Sequence, residues 1–427
     1  MKIIVVSIAP WSRNNNFGKT FCDIFEDMEN VEFLNIYCDS GYPDNAVNAR
    51  YFQITFTDLL RNLRDRHHPV GRTVTSVTEA QELSSQQQGI MQKIKAHPWR
   101  IFHWARRFVW WIGRWSPPEL RREIENFDAD LLFLPIVKES YMNAVQQFVL
   151  DCCPGKKAVA YYGDDNYSLR IFSLNLFFWL DRLTQRGAVK RTIDRCEYMY
   201  VVSEIEKREC ERDFGKKCYI CTKGADFSGT PALKESYPAQ KKLIYTGNLG
   251  NHRWEELYYI GRALDQINGG HELIIYSGTS LPAATLKKLQ SVKSIRFMGR
   301  APADRIPTIQ SEADILVHVE SFHCRERFLV HQSFSTKIVD HYLRGRCTFA
   351  VGPEDVASID WLLREDSAVV ATSRKAIGKQ LRKLLANDEM LTRYAVKGFE
   401  CGRRNHDIHA IQAMLRRHFS EHLGVND

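Results

Sequence analysis

The feature that most constrains the fold is a regular alternation of short apolar runs with helix-like segments. Runs such as "KIIVVS" from Lys2 and "LIYTG" from Leu243 are each followed by text with the spacing of an amphipathic helix. Continuous strand-like runs separated by helices indicate parallel sheets that helices cover on both faces. A stretch rich in Ser, Pro, Ala and Lys, roughly 227–240, interrupts this alternation, which then starts again. Such a stretch is typical of a linker between domains.

The length of the chain also favours two domains. It has 427 residues, more than one ordinary hydrophobic core organises. We predict an α/β protein of two Rossmann-like, doubly wound domains, 1–226 and 241–400, which face each other across a cleft and are joined by a linker at 227–240. The segment 401–427 is predicted to form a helix that packs back toward the first domain. About 64–118 the strand pattern stops, which predicts an insertion in the first domain.

Charge and cysteine content indicate the cellular compartment but do not decide the function. The formal net charge of +8 suits an anionic small molecule, a membrane surface or nucleic acid equally well. The 11 cysteines form no paired framework, and no apolar run reaches the ~20 residues that span a bilayer. "CYIC" at Cys218 to Cys221 has the spacing of a redox motif or of one half of a zinc site, but the sequence contains no second pair of cysteines to complete such a site. We therefore expect free thiols in a cytoplasmic protein.

The second strand–turn–helix, "LIYTGNLGNHR", is the first candidate binding site. Open α/β sheets bind ligands at the carboxyl ends of strands, near helix N-termini. Gly247 and Gly250, with Asn248 between them, would let backbone N–H groups approach an anion, and Arg253 would begin the next helix. The spacing lacks the G-x-G-x-x-G pattern of dinucleotide-binding folds, which disfavours a dehydrogenase. Taken alone, the turn is explained equally well as a tight structural connection.

Two later segments favour a nucleotide. "FSTKIVDHYLRG" places Thr336 and Lys337 at the start of a helix, where a lysine is unfavourable for the helix dipole unless an anion lies between them. Asp340 falls on the same helical face and would accept hydrogen bonds from ribose hydroxyls. After another predicted strand, the loop that begins with Gly299 and Arg300 would read a base edge with backbone groups.

In order and spacing, these three segments resemble the carboxyl-terminal domain of GT-B-fold glycosyltransferases of the large, mostly retaining group-one class. The resemblance covers roughly 243–385 and extends to the first half only as a general layout. It implies that Arg253 and Lys337 bind the donor diphosphate and that Asp340 binds the nucleotide ribose. One departure is clear, because Gln332 stands where many relatives carry the first of two glutamates. Asp340 keeps the carboxylate of the second.

In the first domain two loops are candidates for acceptor binding. "APWSRNNNFGKT" carries Asn14, Asn15 and Asn16, which suit sugar hydroxyls or an ordinary polar loop equally well. "YYGDDNYS" carries Asp164 and Asp165 after a predicted strand. We assign Asp165 as catalytic, orienting an acceptor hydroxyl or stabilising positive charge at the anomeric carbon. The alternative is a structural cap, since Asp commonly satisfies free N–H groups at a helix start.

No metal site is predicted. His318, His323 and His331 are close in sequence, but none has the i, i+4 pairing with an acid that marks a zinc helix. The resemblance implies that sugar transfer proceeds without a bound metal or other cofactor. Arg253, Lys337 and helix dipoles would then stabilise the departing diphosphate.

The predicted insertion contains a basic, aromatic segment, "HPWRIFHWARRFVWWIGRW". At helical spacing one face is apolar: Ile101, Trp104, Phe108, Trp111, Ile112 and Trp115. The opposite face is basic: Arg100, His103, Arg107 and Arg114. This pattern predicts a helix at about 97–116 that lies on a membrane surface. Packing against the core is the alternative, although Trp99 and Trp110 fall on the basic face. Nucleic acid is disfavoured, because the arginines and aromatic rings are segregated.

Together these observations predict a cytoplasmic glycosyltransferase, peripheral on the inner face of the membrane. It would move a sugar from a nucleotide sugar to a glycan or a lipid-linked saccharide. The resemblance alone suggests bacterial surface-polysaccharide assembly. Two alternatives stay open. A sugar-nucleotide 2-epimerase shares the fold, and a non-catalytic membrane scaffold would account for the loss of a carboxylate at Gln332.

Overall fold

The computed structural model describes residues 1–13, 16–74, 100–171 and 173–424. The first domain is built on an eight-stranded sheet of order β4-β3-β2-β1-β5-β6-β7-β8. Neighbouring strands are parallel except for the pair of β3 and β4. The strands are β1 (Lys2–Ser7), β2 (Glu32–Tyr37), β3 (Ala49–Gln53), β4 (Arg72–Val74), β5 (Leu131–Ile136), β6 (Lys157–Tyr162), β7 (Tyr198–Val201) and β8 (Cys218–Ile220).

Helices cover both faces of this sheet. They are α1 (Asn16–Phe25), α2 (Phe56–Arg64), α3 (Arg100–Ile112), α4 (Pro118–Phe127), α5 (Ser140–Cys152), α6 (Leu176–Asp194) and α7 (Glu204–Phe214). The central strand β1 shows why the sequence run is continuously apolar. Ile4 and Val6 pack into one hydrophobic core, while Ile3 and Val5 pack into another on the opposite face.

The second domain repeats the plan with six parallel strands in the order β11-β10-β9-β12-β13-β14. The strands are β9 (Lys242–Thr246), β10 (Glu272–Tyr276), β11 (Ile295–Gly299), β12 (Ile315–Val319), β13 (Cys347–Val351) and β14 (Val369–Ala371). Its α-helices are α8 (Arg253–Ile267), α9 (Ala283–Gln290), α10 (Ile306–Glu312), α11 (Cys324–Leu329), α12 (Lys337–Leu343), α13 (Ala357–Arg364), α14 (Arg374–Leu385) and α15 (Asp388–Asn405). The predicted fold of two doubly wound domains is confirmed.

The last helix, α16 (Ile408–Leu423), returns to the first domain. The ring of Phe419 lies 6.4 Å from that of Phe133 in β5. The side chains of His418 and Tyr200 are 3.2 Å apart, Nδ1 to Oη. The helix therefore completes the core beneath the first sheet. Between 227 and 240 the chain forms no helix or strand.

The predicted insertion contains β4 and α3 and ends at the first residue of α4. Trp99, and the acceptor-loop residues Asn14 and Asn15, lie outside the described residues. No helix among the described residues is long and apolar enough to cross a membrane. All eleven cysteines are free, and only Cys324 is exposed.

Candidate functional site

A cavity of about 1110 Å³ lies between the domains. Its walls come from loops after the carboxyl ends of strands in both sheets, where doubly wound folds bind ligands. The first domain contributes Lys138, Tyr141 and Asp164, and the second contributes Arg253 and Glu320. Charged groups of both signs from two domains therefore face one space.

The turn between β9 and α8 is shaped so that a lysine can reach it. A Cβ at Gly247 would lie 2.9 Å from Lys337 Cε and 3.0 Å from its Nζ, so glycine is required for this approach. Asn248 Oδ1 accepts hydrogen bonds from Gly250 N, at 2.5 Å, and from Thr279 Oγ1, at 3.0 Å. The N–H of Gly250, predicted to approach an anion, is thus used within the turn. Asn248 braces the loop.

Arg253 and Lys337, predicted to act together, are brought together with a carboxylate beside them. Glu320 Oε2 accepts from Arg253 Nε at 3.1 Å and from Nη2 at 2.8 Å, and Glu320 is 3% exposed. Sequence analysis gave Glu320 no role. The available signal was its place directly after β12, on the same sheet edge as the glycine turn.

Lys337 is the cation left without a partner. Its ammonium group makes no hydrogen bond or ion pair with any described residue, although the side chain is half-buried. Burial lowers the pKa of Lys337, and the positive charge of Arg253 lowers it further; Glu320 and Asp340 act in the opposite direction. Burial and the charge of Lys337 also hold the pKa of His318 well below its ordinary value, so that ring is neutral.

Asp340 faces a neighbouring space and holds a lysine from the first domain. Its Oδ1 lies 2.5 Å from Nζ of Lys223. Both residues line a second cavity of about 390 Å³ that also contacts Pro307 and Gln310, and Lys223 lines the larger cavity as well. Sequence analysis missed Lys223, whose position shortly after the end of β8 was the only signal.

The remaining predicted nucleotide residues are Thr336, Gly299 and Arg300, and of these three only Thr336 lines one of the two cavities. Thr336 is exposed at the start of α12 and lines the larger cavity. Gly299 ends β11 in the left-handed conformation, with φ of 73°. Arg300 follows it and packs over Gly278, where a Cβ would lie 3.3 Å from Arg300 Cδ.

The two aspartates after β6 have different surroundings. Asp165 Oδ1 accepts from Ser168 N, at 2.7 Å, and from Arg182 Nη2, at 3.0 Å, in a pair with each side chain only 6% exposed. These contacts are those of a structural residue and favour the alternative weighed for Asp165. Asp164 instead faces the cleft and accepts from Ser333 Oγ of the second domain at 3.1 Å. Protein on both sides of the cleft raises the pKa of Asp164 by desolvation, and the Ser333 hydrogen bond opposes that rise.

Gln332 lies at the domain boundary. Its side-chain amide donates to Glu209 of α7, and its main-chain carbonyl accepts from Ser203 Oγ at 2.6 Å. Glu209 also pairs with Arg170 and lies 3.4 Å from His331 Nε2. Because Gln332 contacts the carboxylate of Glu209, an uncharged side chain at position 332 is explained by this partner in the first domain.

Helix α3 exposes part of its predicted apolar face and packs against the core through the opposite side. Trp110 is buried and stacks on Tyr141, with ring centroids 4.4 Å apart. Phe108, Trp111 and Ile112 are exposed, Trp111 by 79%. The predicted grouping of Trp115 with them is wrong, because Trp115 is partly buried and packs against Phe148 of α5. The side chains of Arg100 to Trp104 lie outside the described residues.

A second exposed apolar row lies on the neighbouring helix α6 and on the residues just before it. Arg107 of α3 joins the two helices by pairing with Asp181 and donating to Thr184 Oγ1 at 3.4 Å. We call the two rows together the apolar ridge: Phe108, Trp111, Ile112, Leu174, Leu176, Leu180 and Leu183, all exposed. Arg107 and Asp181 also line the large cavity, so the ridge borders the cleft.

Comparison with known proteins extends this description. No protein-family model and no curated protein matches the chain. Solved structures do match. HepE of Anabaena in complex with UDP has a TM-score of 0.62 at 12% identity, covering 99% of this chain and 100% of that one. Sucrose-phosphate synthase of Thermosynechococcus elongatus has a TM-score of 0.62 at 11% identity, covering 99% of both chains.

A third similar structure is the UDP-forming trehalose-phosphate synthase of Burkholderia vietnamiensis. It has a TM-score of 0.58 at 8% identity and covers 99% of this chain and 100% of that one. The architecture is therefore that of GT-B glycosyltransferases, which confirms the predicted fold.

Proposed function

We propose that the protein is a glycosyltransferase that binds a nucleoside diphosphate sugar in its second domain. The unpartnered ammonium group of Lys337 is the observation that carries this proposal. A half-buried charge without a partner is costly, and an anion placed between Lys337 and Arg253 removes that cost. Three cations, Arg253, Lys337 and Lys223, face only two carboxylates here, Glu320 and Asp340. The surplus positive charge suits a diphosphate.

The nucleotide would span the two cavities. We place its diphosphate beside Gly247, Arg253 and Lys337, and its ribose near Asp340. The base would then lie toward the loop that begins at Gly299. HepE was solved with UDP and with UDP-glucose, which makes a uridine nucleotide the first donor to test. When the bond to the sugar breaks, the two cations would stabilise the charge left on the diphosphate.

The acceptor would lie on the first-domain side of the cavity. Both Asp164 and Asp165 line the cavity there, but Asp165 is held by Ser168 and Arg182, whereas Asp164 contacts Ser333 across the cleft. We propose that Asp164 orients an acceptor hydroxyl, while Asp165 and Arg182 hold the loop that carries it. The acceptor is a glycan or a lipid-linked saccharide, and bacterial surface-polysaccharide assembly fits both.

The apolar ridge supports the lipid-linked form and attachment to a membrane. Large apolar side chains that are exposed side by side are uncommon in monomers, and exposed tryptophan beside arginine is typical of an interfacial helix. From Leu83 to Pro118 the sequence contains six lysines and arginines and no acid. An anionic lipid surface is complementary to this charge. A lipid-linked acceptor would pass from the membrane along the ridge into the cleft.

The proposal is tested by nucleotide binding and turnover. UDP should raise the melting temperature of the intact chain. Losing one charge-assisted hydrogen bond costs about 1.5–3 kcal/mol, so Lys337→Ala should weaken UDP binding about ten- to hundredfold. Lys375→Ala, an exposed lysine in the same domain, is the matched control. Equal UDP affinity in wild type and Lys337→Ala would overturn the proposed site.

Turnover separates the alternative functions. A panel of UDP-sugars with and without saccharide acceptors should release UDP only when an acceptor is present. Interconversion of the donor without acceptor would identify an epimerase. UDP binding with no turnover on any acceptor would favour a scaffold.

A further inference from the structure

Three side chains from two separate segments converge beside the glycine turn. The imidazole rings of His252 and His323 stack in parallel, with centroids 4.5 Å apart and planes 7° apart. The ligating atoms of these histidines and of Glu326 all lie within 4.8 Å of one another. The side chains of His323 and Glu326 make no hydrogen bond or ion pair elsewhere in the described chain. Two imidazole rings and a carboxylate thus lie close together at one solvent-accessible position.

Local backbone structure produces this convergence. His252 precedes α8 in the left-handed conformation, with φ of 57°, which is uncommon for a residue with a side chain. Its ring is thereby directed to the neighbouring segment after β12. There His323 directly precedes α11 and Glu326 follows three residues later, so both lie on one side of that segment.

One histidine is also oriented as a metal ligand usually is. Nδ1 of His252 lies 3.1 Å from Glu255 Oε1, which fixes the ring and leaves Nε2 directed away from that carboxylate. Glu255 is held in turn by Arg374, at 2.8 Å. Ligating histidines commonly contact a carboxylate through the second ring nitrogen, and that contact sets the tautomer and the ring orientation.

We propose that His252, His323 and Glu326 form a binding site for a divalent cation of the zinc type. Two imidazoles and one carboxylate are a zinc donor set, and water completes the coordination. Modest side-chain rotations would bring the three ligand atoms to the ~2 Å bond lengths that zinc requires. The site lies next to Arg253 but does not use the groups proposed to hold the nucleotide. It revises the sequence-based expectation of no metal, which considered His318, His323 and His331 together.

His318 and His331, the two histidines close to His323 in the sequence, have other partners. His318 is buried with Nε2 3.5 Å from Glu320 Oε1, and His331 lies near Glu209 at the domain boundary. Only His323 of the three belongs to the new site. Its partners come from a distant turn and from i+3, which a search for i, i+4 spacing does not find.

The test is zinc binding by the intact, metal-free chain in competition with a chromophoric chelator, without nucleotide. We expect one equivalent of Zn²⁺ to bind, and at least tenfold weaker binding in His323→Ala and in Glu326→Gln. His67→Ala and Glu354→Gln, exposed residues elsewhere, should bind as wild type does. Failure to bind stoichiometric Zn²⁺, or unchanged affinity in both site variants, would overturn the proposal.

A neighbouring thiol requires a further variant. Cys324 is exposed and follows His323 directly, so a thiolate is an alternative ligand. Cys324→Ser should keep wild-type Zn²⁺ affinity. Loss of binding in Cys324→Ser, together with full binding in Glu326→Gln, would assign the metal to the thiol instead. Melting temperatures without metal should agree among all variants, since the three ligands are solvent-accessible.

Discussion

The side-chain amide of Gln332 donates a hydrogen bond across the domain boundary to Glu209. A glutamate at position 332 would place a second carboxylate against the first. We expect Gln332→Glu to lower the free energy of unfolding by about 1–3 kcal/mol, because a hydrogen bond is replaced by repulsion.

Urea unfolding measures this effect, and a double-mutant cycle isolates it. Adding Glu209→Gln to Gln332→Glu restores a donor and an acceptor and should recover part of the loss. Additive effects of the two substitutions would mean that the amide contact contributes nothing.

Substitutions of Asp340 and of Arg253 should have different effects on the binding of uridine and of UDP. Asp340→Ala should weaken binding of uridine and UDP alike, since both carry the ribose. Arg253→Ala should weaken UDP alone, because uridine lacks the diphosphate. Ligand-observed NMR reports both affinities. A loss of uridine binding in Arg253→Ala equal to its loss of UDP binding would contradict the placement of the nucleotide.

The neighbouring aspartates Asp164 and Asp165 should behave differently when each is changed to asparagine. Asp165→Asn leaves the buried Arg182 without its carboxylate and should cost about 1.5–3 kcal/mol of stability. Asp164→Asn should leave stability and UDP affinity unchanged while turnover falls. Thermal unfolding and initial rates distinguish these results. Wild-type turnover in Asp164→Asn would remove it from the acceptor site.

Adjacent tryptophans in α3 offer a matched comparison for the membrane proposal. Trp111→Ser combined with Leu176→Ser should abolish co-sedimentation with anionic vesicles and leave the melting temperature unchanged. Trp110→Ser should instead lower stability by about 3–5 kcal/mol, because that ring is buried. High salt should release wild-type protein only in part, since screening weakens only the charge attraction. A wild-type protein that ignores vesicles would overturn membrane attachment.

Acid should destabilise the protein through a buried histidine in α12. Burial lowers the pKa of His341 to about 4, and neither ring nitrogen has a partner among the described residues. The unfolded chain binds a proton near pH 6.5 while the folded chain does not, so stability is lost as pH falls from about 6.5 toward 4. His341→Leu should reduce the loss of stability in this pH range, and the buried His406, whose pKa burial also lowers to about 4, should account for part of what remains. His67→Ala, at an exposed position, should not reduce the loss.

The sequence was sufficient to predict the two sheets and the meeting of Lys337 with the glycine turn. Strand runs, a glycine and a lysine at a helix start are local signals, and the parallel sheet brings them to one edge. Glu320 and Lys223 were not predictable in this way. Their roles depend on which loops meet across the cleft, and neither has a motif of its own.

The aromatic helix shows a second limit. Its periodicity was correct for the exposed Phe108, Trp111 and Ile112, but a helical wheel does not show what packs against each side. Trp110 falls on the predicted basic face, and in the structure Tyr141 covers it. Likewise, the sequence alone did not distinguish Asp164 from Asp165. The structure separates them, because Ser168 and Arg182 hold Asp165 while Asp164 contacts Ser333 across the cleft.

The return of α16 to the first domain has a consequence for synthesis. Phe419 and its neighbours fill the first core, yet they are translated after the whole second domain. The first domain therefore emerges from the ribosome with part of its sheet uncovered and completes its folding only after α16 has been synthesised. Until then the second domain, whose strands are contiguous, is the half able to fold as a unit. Truncation before Ile408 should accordingly expose apolar surface in the domain farthest away along the chain.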